Sequence, residues 1–376
     1  MKIAYICSYN PFDKINRSGV PYSIYQQLLK YHDVVWIKPQ YKGIFKLWGV
    51  LMRIIIAIGR RLGFSLHDRN VITAKIMSYY IQNELSKFEY DAIFSLNTFE
   101  LVYVKTNKPI YLRIDAIYPS GINYYIFNMP KCFQNWANEL EFKALEKITV
   151  VFTPSKWIIN EVRKYYPQLD INKFYLLETG ANIENNNIQY KIHTYSKDKN
   201  LNIIFVGFDV KRKGIDVAYA TIVLLNEKYN IKTTLNIIGG KPDNKILHSR
   251  YVNYIGKLDK NIPEQYDAFY KAFENSDLFL FPTKAEYHGI VNCEAAAYAL
   301  PIFSYNTGGV SSYVINDVNG YTLDLNKDAK DFAYLICSCI TDGRMQKFSE
   351  GSRNLYETRF NWNVWGKKVN DIINKK

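Results

Sequence analysis

Residues 281–323 read FPTKAEYHGIVNCEAAAYALPIFSYNTGGVSSYVINDVNGYTL, and the order of apolar and polar runs in them frames the chain. An apolar strand ends at Phe281-Pro282, and a polar loop with Glu286 and His288 follows. A helix begins near Gly289 and holds Glu294 in its second turn; Pro301–Ser304 then reads as another strand. Strand, loop, helix and strand in this order are one step of a parallel α/β sheet. The two carboxylates lie eight positions apart and bracket the helix start, where backbone N–H groups have no partner within the helix. A phosphate docked there would have a glutamate on either side, each able to accept hydrogen bonds from sugar hydroxyls. A helix with an ordinary acidic first turn shows the same pattern, and the residues alone leave both readings open.

The same alternation runs outward in both directions. In the first half, Lys2–Cys7, Asp33–Ile37, Asp91–Leu96, Pro109–Arg113, Ile148–Thr153 and Phe174–Glu178 read as strands. Helical patterns fill the gaps, among them Pro130–Lys147 and Ser155–Tyr165, with Ser155 as its expected N-cap. Glu184–Asn200 is polar and without apolar period, so it reads as a linker. Beyond it Leu201–Gly207, Thr233–Ile238, Tyr251–Ile255, Leu278–Phe281 and Pro301–Ser304 read as strands of a second sheet. The expectation is an α/β chain of two similar domains facing each other across a cleft: residues 1–185, a linker over 186–200, and residues 201–358. A C-terminal amphipathic helix, 359–376, carries Trp362 and Trp365 as core anchors.

Composition narrows the classes. The chain has 376 residues, 48% hydrophobic and 22% charged, which excludes disordered and fibrous classes and exceeds one ordinary core. Lys+Arg 48 against Asp+Glu 35 leaves +13, pointing to an anionic partner: a phosphorylated substrate, an acidic membrane face or nucleic acid. The five cysteines are scattered, and Cys337-Ser-Cys339 without a second pair is a poor zinc site, so reduced thiols are expected. The apolar run Ile3–Cys7 is too short for a secretion signal, and a cytoplasmic location is expected. Gly43–Arg61 (GIFKLWGVLMRIIIAIGRR) is apolar on nearly every side and flanked by cations. It reads either as a helix packed on the sheet or as an interfacial helix with Phe45 and Trp48 at the acyl boundary and its cations on anionic headgroups.

Several familiar sites are absent. No G-x-G-x-x-G follows a strand, no G-x-x-x-x-G-K-[ST] occurs, and H-E-x-x-H and G-x-S-x-G are missing. Dehydrogenase, P-loop kinase, zinc protease and serine hydrolase lose their usual support.

The glutamate pair resembles the E-x7-E signature of family 4 retaining glycosyltransferases, enzymes of the GT-B fold (glycosyl transferases group 1). Other segments resemble that family in the same order. Arg17-Ser18-Gly19-Val20-Pro21 is similar to its first glycine loop, and Phe205-Val206-Gly207 with Lys211-Arg212-Lys213-Gly214 to its phosphate-binding start of the second domain. Thr179-Gly180-Ala181-Asn182 is similar to the loop closing the first domain, Gly308-Gly309 to the glycine pair after the signature helix, and Tyr251–Phe281 to the base-binding stretch.

The resemblance implies two Rossmann-like domains, with the C-terminal helix crossing back to the first, and a nucleotide diphosphate sugar as donor. Arg212 and Lys213 would stabilise the leaving diphosphate, Gly19 and Gly207 would line it, and the N–H groups of Gly289 and Ile290 would hold its distal phosphate. Glu294 would accept from the ribose, Glu286 from the transferred sugar, and Lys257 and Leu258 would meet the base. The Lys-Arg-Lys run is otherwise a solvated surface turn. Phe208 stands where many members have Arg, so Arg212 is inferred to take over that contact; Tyr287-His288 replaces the common Gly-Phe, and His288 would donate to the sugar or phosphate.

Asp115, after the strand ending at Arg113, would orient or deprotonate the acceptor hydroxyl, or merely cap a turn with Arg113 neutralising it. His67 and His193 are expected at the surface. No metal or other cofactor is expected. The implied reaction is retaining hexosyl transfer to a glycan or lipid-linked hydroxyl, by same-face attack or a covalent intermediate, in cell-surface polysaccharide assembly at the inner membrane face. Two rivals stand beside it: an epimerase or hydrolase of nucleotide sugars on the same fold, and a non-catalytic polyanion-binding protein; nucleic acid is not an expected partner.

Overall fold

A computed structural model describes residues 1–183, 188–195 and 199–375. Of the sequence-predicted linker, 186–187 and 196–198 lie outside the described residues. The chain forms two compact units, Met1–Leu177 and Glu178–Lys376.

The first unit holds six parallel strands: β1 (Lys2–Ile6), β2 (Asp33–Ile37), β3 (Ala92–Ser95), β4 (Ile110–Arg113), β5 (Val150–Thr153) and β6 (Phe174–Leu176). Their order across the sheet is β2-β1-β3-β4-β5-β6. The second unit repeats the plan with β7 (Leu201–Gly207), β8 (Thr233–Gly239), β9 (Val252–Gly256), β10 (Leu278–Phe281), β11 (Ile302–Tyr305) and β12 (Gly320–Leu323), all parallel and ordered β12-β11-β10-β7-β8-β9. The sequence reading lacked β12, which has four residues, only one of them buried, and so shows no clear apolar run.

Parallel strands covered on both faces need apolar residues at odd and even positions alike. In β7, Leu201, Ile203 and Phe205 face the helices Ile215–Glu227 and Ala329–Thr341, while Ile204 faces the opposite core. In β10, Leu278 and Leu280 join the first cluster, and Phe279 and Phe281 join the second with Phe269, Phe273 and Ala295–Ala297. Burying these side chains is the main source of stability, at about 25 cal/mol per Å² of apolar surface.

Several local expectations change. Ser155 occupies the N-cap of Lys156–Tyr165 with extended backbone, but its side chain accepts no capping hydrogen bond. His193 is buried rather than exposed, bridging Asp277 Oδ1 (3.4 Å) and the Tyr298 carbonyl (3.3 Å). His67 is partly buried between the edges of Tyr118 and Phe133, and burial pushes it down to about 4. All five cysteines are free thiols, with Cys7, Cys293 and Cys339 buried.

Trp365 is 2% exposed and meets Trp362 edge-on at 5.3 Å, as the anchor reading required. Trp365→Ala should cost about 3–5 kcal/mol. Trp136→Ala, at a side chain 44% exposed, should stay within about 0.5 kcal/mol of the parent. Urea unfolding of both variants checks the contrast.

Candidate functional site

The C-terminal ends of three neighbouring strands in the second unit, β7, β10 and β11, carry loops that lock together. Open parallel sheets bind ligands at this edge. The loop after β7 runs to Gly214, whose φ of +80° caps the next helix; a Cβ there would stand 1.9 Å from the Pro282 carbonyl. That close approach lets the loop press on the one after β10: the Lys284 N–H donates to the Arg212 carbonyl (2.9 Å), and Arg212 donates to the Ala285 carbonyl (2.6 Å). From the loop after β11, Thr307 donates to the Lys284 carbonyl (3.3 Å) and the Gly309 N–H to the Glu286 carbonyl (3.1 Å).

Glu286 is buried, and Lys213 donates to its Oε2. The Lys213 stem passes over Gly207, where any Cβ would fall 2.8 Å from its Cγ, and its ammonium sits 4.6 Å from the Phe281 ring centre. Burial alone would raise the Glu286 carboxyl; the ammonium beside it outweighs burial and holds it below its ordinary value. Arg212 reaches Oε2 at 3.9 Å and is also tied to Asp209 at 3.2 Å.

Glu294 lies on the helix Val291–Ala297, which starts two residues later than the sequence suggested, so Glu294 falls in the first turn. It is buried and accepts from Lys260 Nζ at 2.5 Å, while that ammonium lies 4.0 Å from the Phe269 ring. Here burial prevails and the carboxyl is raised despite the lysine. Two glutamates of one motif are thus pushed in opposite directions. Lys260 was missed at the sequence level: it stands three residues past Lys257 in the same GKLDK run, and only its acid partner, 34 residues on, identifies it.

Lys257 is exposed, and Leu258 packs against the core cluster that includes Ile238 and Phe281. His288 is half-buried with its ring 6.4 Å from that of Tyr313, and its charge adds to the pull on Glu286. Gly289 turns with φ +71°, and its carbonyl and that of Ile290 accept the first N–H groups of the helix. Phe208 is largely exposed. Among the described residues, no group of three or more His, Cys, Asp and Glu is placed to hold a metal.

In the first unit, Arg17, Ser18 and Gly19 take successive left-handed conformations, at φ 48°, 56° and 80°. For Arg17 and Ser18 this costs on the order of 1–3 kcal/mol each. The turn aims Arg17 at Asp115 Oδ2 (2.8 Å), and Arg113 donates to Oδ1. Asp115 thus accepts from two guanidinium groups, one on each carboxylate oxygen.

The helix Phe45–Arg61 buries only Gly49, Met52 and Gly59. Leu47, Leu51, Ile54, Ile58 and Leu62, at helical spacing, form an outward stripe, with Leu47 71% and Leu62 67% exposed. Trp48 turns inward instead of outward, donating to Thr73 Oγ1 at 2.8 Å. Exposed Lys46, Arg53, Arg60 and Arg61 flank the stripe, and the helix holds no acid. Among the described residues, no helix is long and apolar enough to cross a membrane.

Residues 188–355 match the family "Glycosyl transferases group 1". The capsular polysaccharide biosynthesis glycosyltransferase CapM of Staphylococcus aureus is 26% identical over 195 residues, 51% of this chain and 50% of that protein. The chain thus spans about half the length of this curated relative. Among solved structures, the lipopolysaccharide outer core galactosyltransferase WaaB matches with TM-score 0.70 and 12% identity, each chain covered completely. Anabaena HepE in complex with UDP and glucose matches with TM-score 0.67 and 12% identity, again over both whole chains. At these identities the likeness shows the fold, the two-sheet α/β architecture of GT-B glycosyltransferases.

The opposed shifts at the glutamates yield a test of stability. Lys260→Met removes the cation beside buried Glu294, so that carboxyl should rise further above its ordinary 4.5. A group whose folded value is raised stabilises fully below its unfolded value and loses that contribution as pH climbs through the folded one. The variant's deficit against the parent should therefore be small at pH 4.5 and approach about 3 kcal/mol at pH 8. Denaturant midpoints across that range measure it.

Proposed function

Taking residues 188–355 as a glycosyl transferases group 1 domain, we propose that the chain is a retaining glycosyltransferase that moves a hexosyl group from a nucleotide diphosphate sugar to a hydroxyl acceptor. The observation that carries this reading is the pair of buried glutamates, each with its own lysine, at the C-terminal edge of one parallel sheet. Glu294 accepts from the ribose and Glu286 from the transferred sugar. Lys213 and Arg212 neutralise charge on the departing diphosphate, a preorganised stabilisation that needs no further ion. Gly207, Gly289 and Ile290 line the phosphates with backbone, and Lys257 and Leu258 flank the base. His288 donates to the sugar or phosphate. The proton of the attacking hydroxyl passes to the leaving phosphate in a same-face route. CapM is a capsular polysaccharide biosynthesis glycosyltransferase, WaaB a lipopolysaccharide outer core galactosyltransferase, and HepE is known in complex with UDP and glucose; these likenesses support this reading.

Wild type and Glu294→Ala, screened by thermal shift against UDP-, GDP- and ADP-sugars, test the donor site. A ligand bound only by the folded state stabilises it by about 2.7 kcal/mol at 100 times its Kd. One nucleotide should stabilise the wild type and not the variant; no stabilisation by any donor overturns the reading.

The acceptor we propose is a glycan or lipid-linked hydroxyl in cell-surface polysaccharide or glycolipid assembly, met at the cytoplasmic face of an anionic membrane through residues 43–61. The outward stripe with its flanking cations supports this, because apolar burial in the interface and attraction to acidic headgroups add. Leu47→Glu, Ile54→Glu and Ile58→Glu combined should abolish sedimentation with phosphatidylglycerol vesicles and leave donor binding intact. Unchanged sedimentation refutes the membrane contact.

A further inference from the structure

Asn292 stands between the two glutamates, on the first turn of the helix Val291–Ala297, and the donor reading gives it no role. Its side chain is completely buried. Neither amide atom has a hydrogen-bond partner among the described residues. A buried amide in this state has lost its water hydrogen bonds and gained none, so an apolar group of the same shape would serve folding at least as well.

The surroundings say where the missing partner belongs. A Cβ built on Gly289 would lie 2.7 Å from Asn292 Nδ2 and 3.1 Å from Glu286 Cγ. The amide, the stem of Glu286 and a residue without a side chain therefore converge on one point. Lys213 touches the same glutamate from its other end.

The chemistry of the amide selects the ligand group. It offers two N–H donors and one carbonyl acceptor. A phosphate oxygen at neutral pH satisfies only the donors. A sugar hydroxyl both accepts and donates, and so satisfies both orphaned atoms. We infer that Asn292 recognises a hydroxyl of the transferred sugar beside Glu286, and so helps set which hexose the donor carries. This rests on the donor-site reading above.

Calorimetric titration of the full chain with UDP, UDP-glucose, UDP-galactose, UDP-N-acetylglucosamine, GDP and GDP-mannose tests the inference. In the wild type one sugar nucleotide should bind more tightly than its bare nucleotide. Asn292→Leu should bind the bare nucleotide as the wild type does and lose about tenfold or more on the sugar nucleotide. Its melting temperature without ligand should match or exceed that of the wild type, which a merely structural amide would not give. Asn292→Ala, which adds no bulk, should show the same selective loss if leucine disturbs packing.

Equal losses on bare and sugar nucleotides, or none on either, overturn the assignment while the donor site stands. A wild type that gains nothing from the sugar overturns it too. A wild type that binds none of the six ligands, and neither ADP nor ADP-glucose, overturns the donor reading, and this inference with it.

Discussion

Two ammonium groups hold two carboxylates out of water at the end of a single sheet, and the local structure of the second unit follows from that requirement. A carboxylate stripped of water costs several kcal/mol unless a cation and further hydrogen bonds replace the solvent. Lys213 reaches Glu286 only because Gly207 leaves room for its stem and Gly214 lets its loop press on Pro282. Lys260 reaches Glu294 from the loop after β9. Each ammonium also lies over an aromatic ring of the core, Phe281 or Phe269, so the charge site and the apolar packing share residues.

That sharing ties fold to chemistry. Phe281 closes β10, packs in the core and supports Lys213, so the strand that anchors the sheet also sets the position of the charge. The outcome is one carboxyl held low and one held high within a nine-residue motif. An anion-bearing sugar nucleotide needs both kinds of group: cations for its phosphates and hydrogen-bond acceptors for its hydroxyls. In the first unit the charges are arranged differently, with Asp115 fully engaged by Arg17 and Arg113.

Much of this was legible from residue order. The strands β1 to β11 are runs of apolar residues bounded by polar ones, a local pattern that the sequence carries openly. Glu286 and Glu294 were also visible, because their spacing straddles a strand-to-helix turn. Lys260 was not, since its identity rests on a contact 34 residues away that no periodicity records. The outward stripe of Phe45–Arg61 was ambiguous for a different reason: apolar residues lie on nearly every side of that helix, so spacing could not say which face is buried. The structure answers through Gly49, Met52 and Gly59, the only three positions of the helix that are buried. Asp115 and His193 likewise depend on partners far along the chain.

The most direct measurement is a crystal structure of the full chain grown with a sugar nucleotide. The account predicts the ribose hydroxyls within hydrogen-bond distance of Glu294, the sugar hydroxyls at Glu286, and Lys213 and Arg212 on the diphosphate. A nucleotide seated away from the C-terminal edge of β7, β10 and β11, or one whose hydroxyls contact neither glutamate, would contradict it.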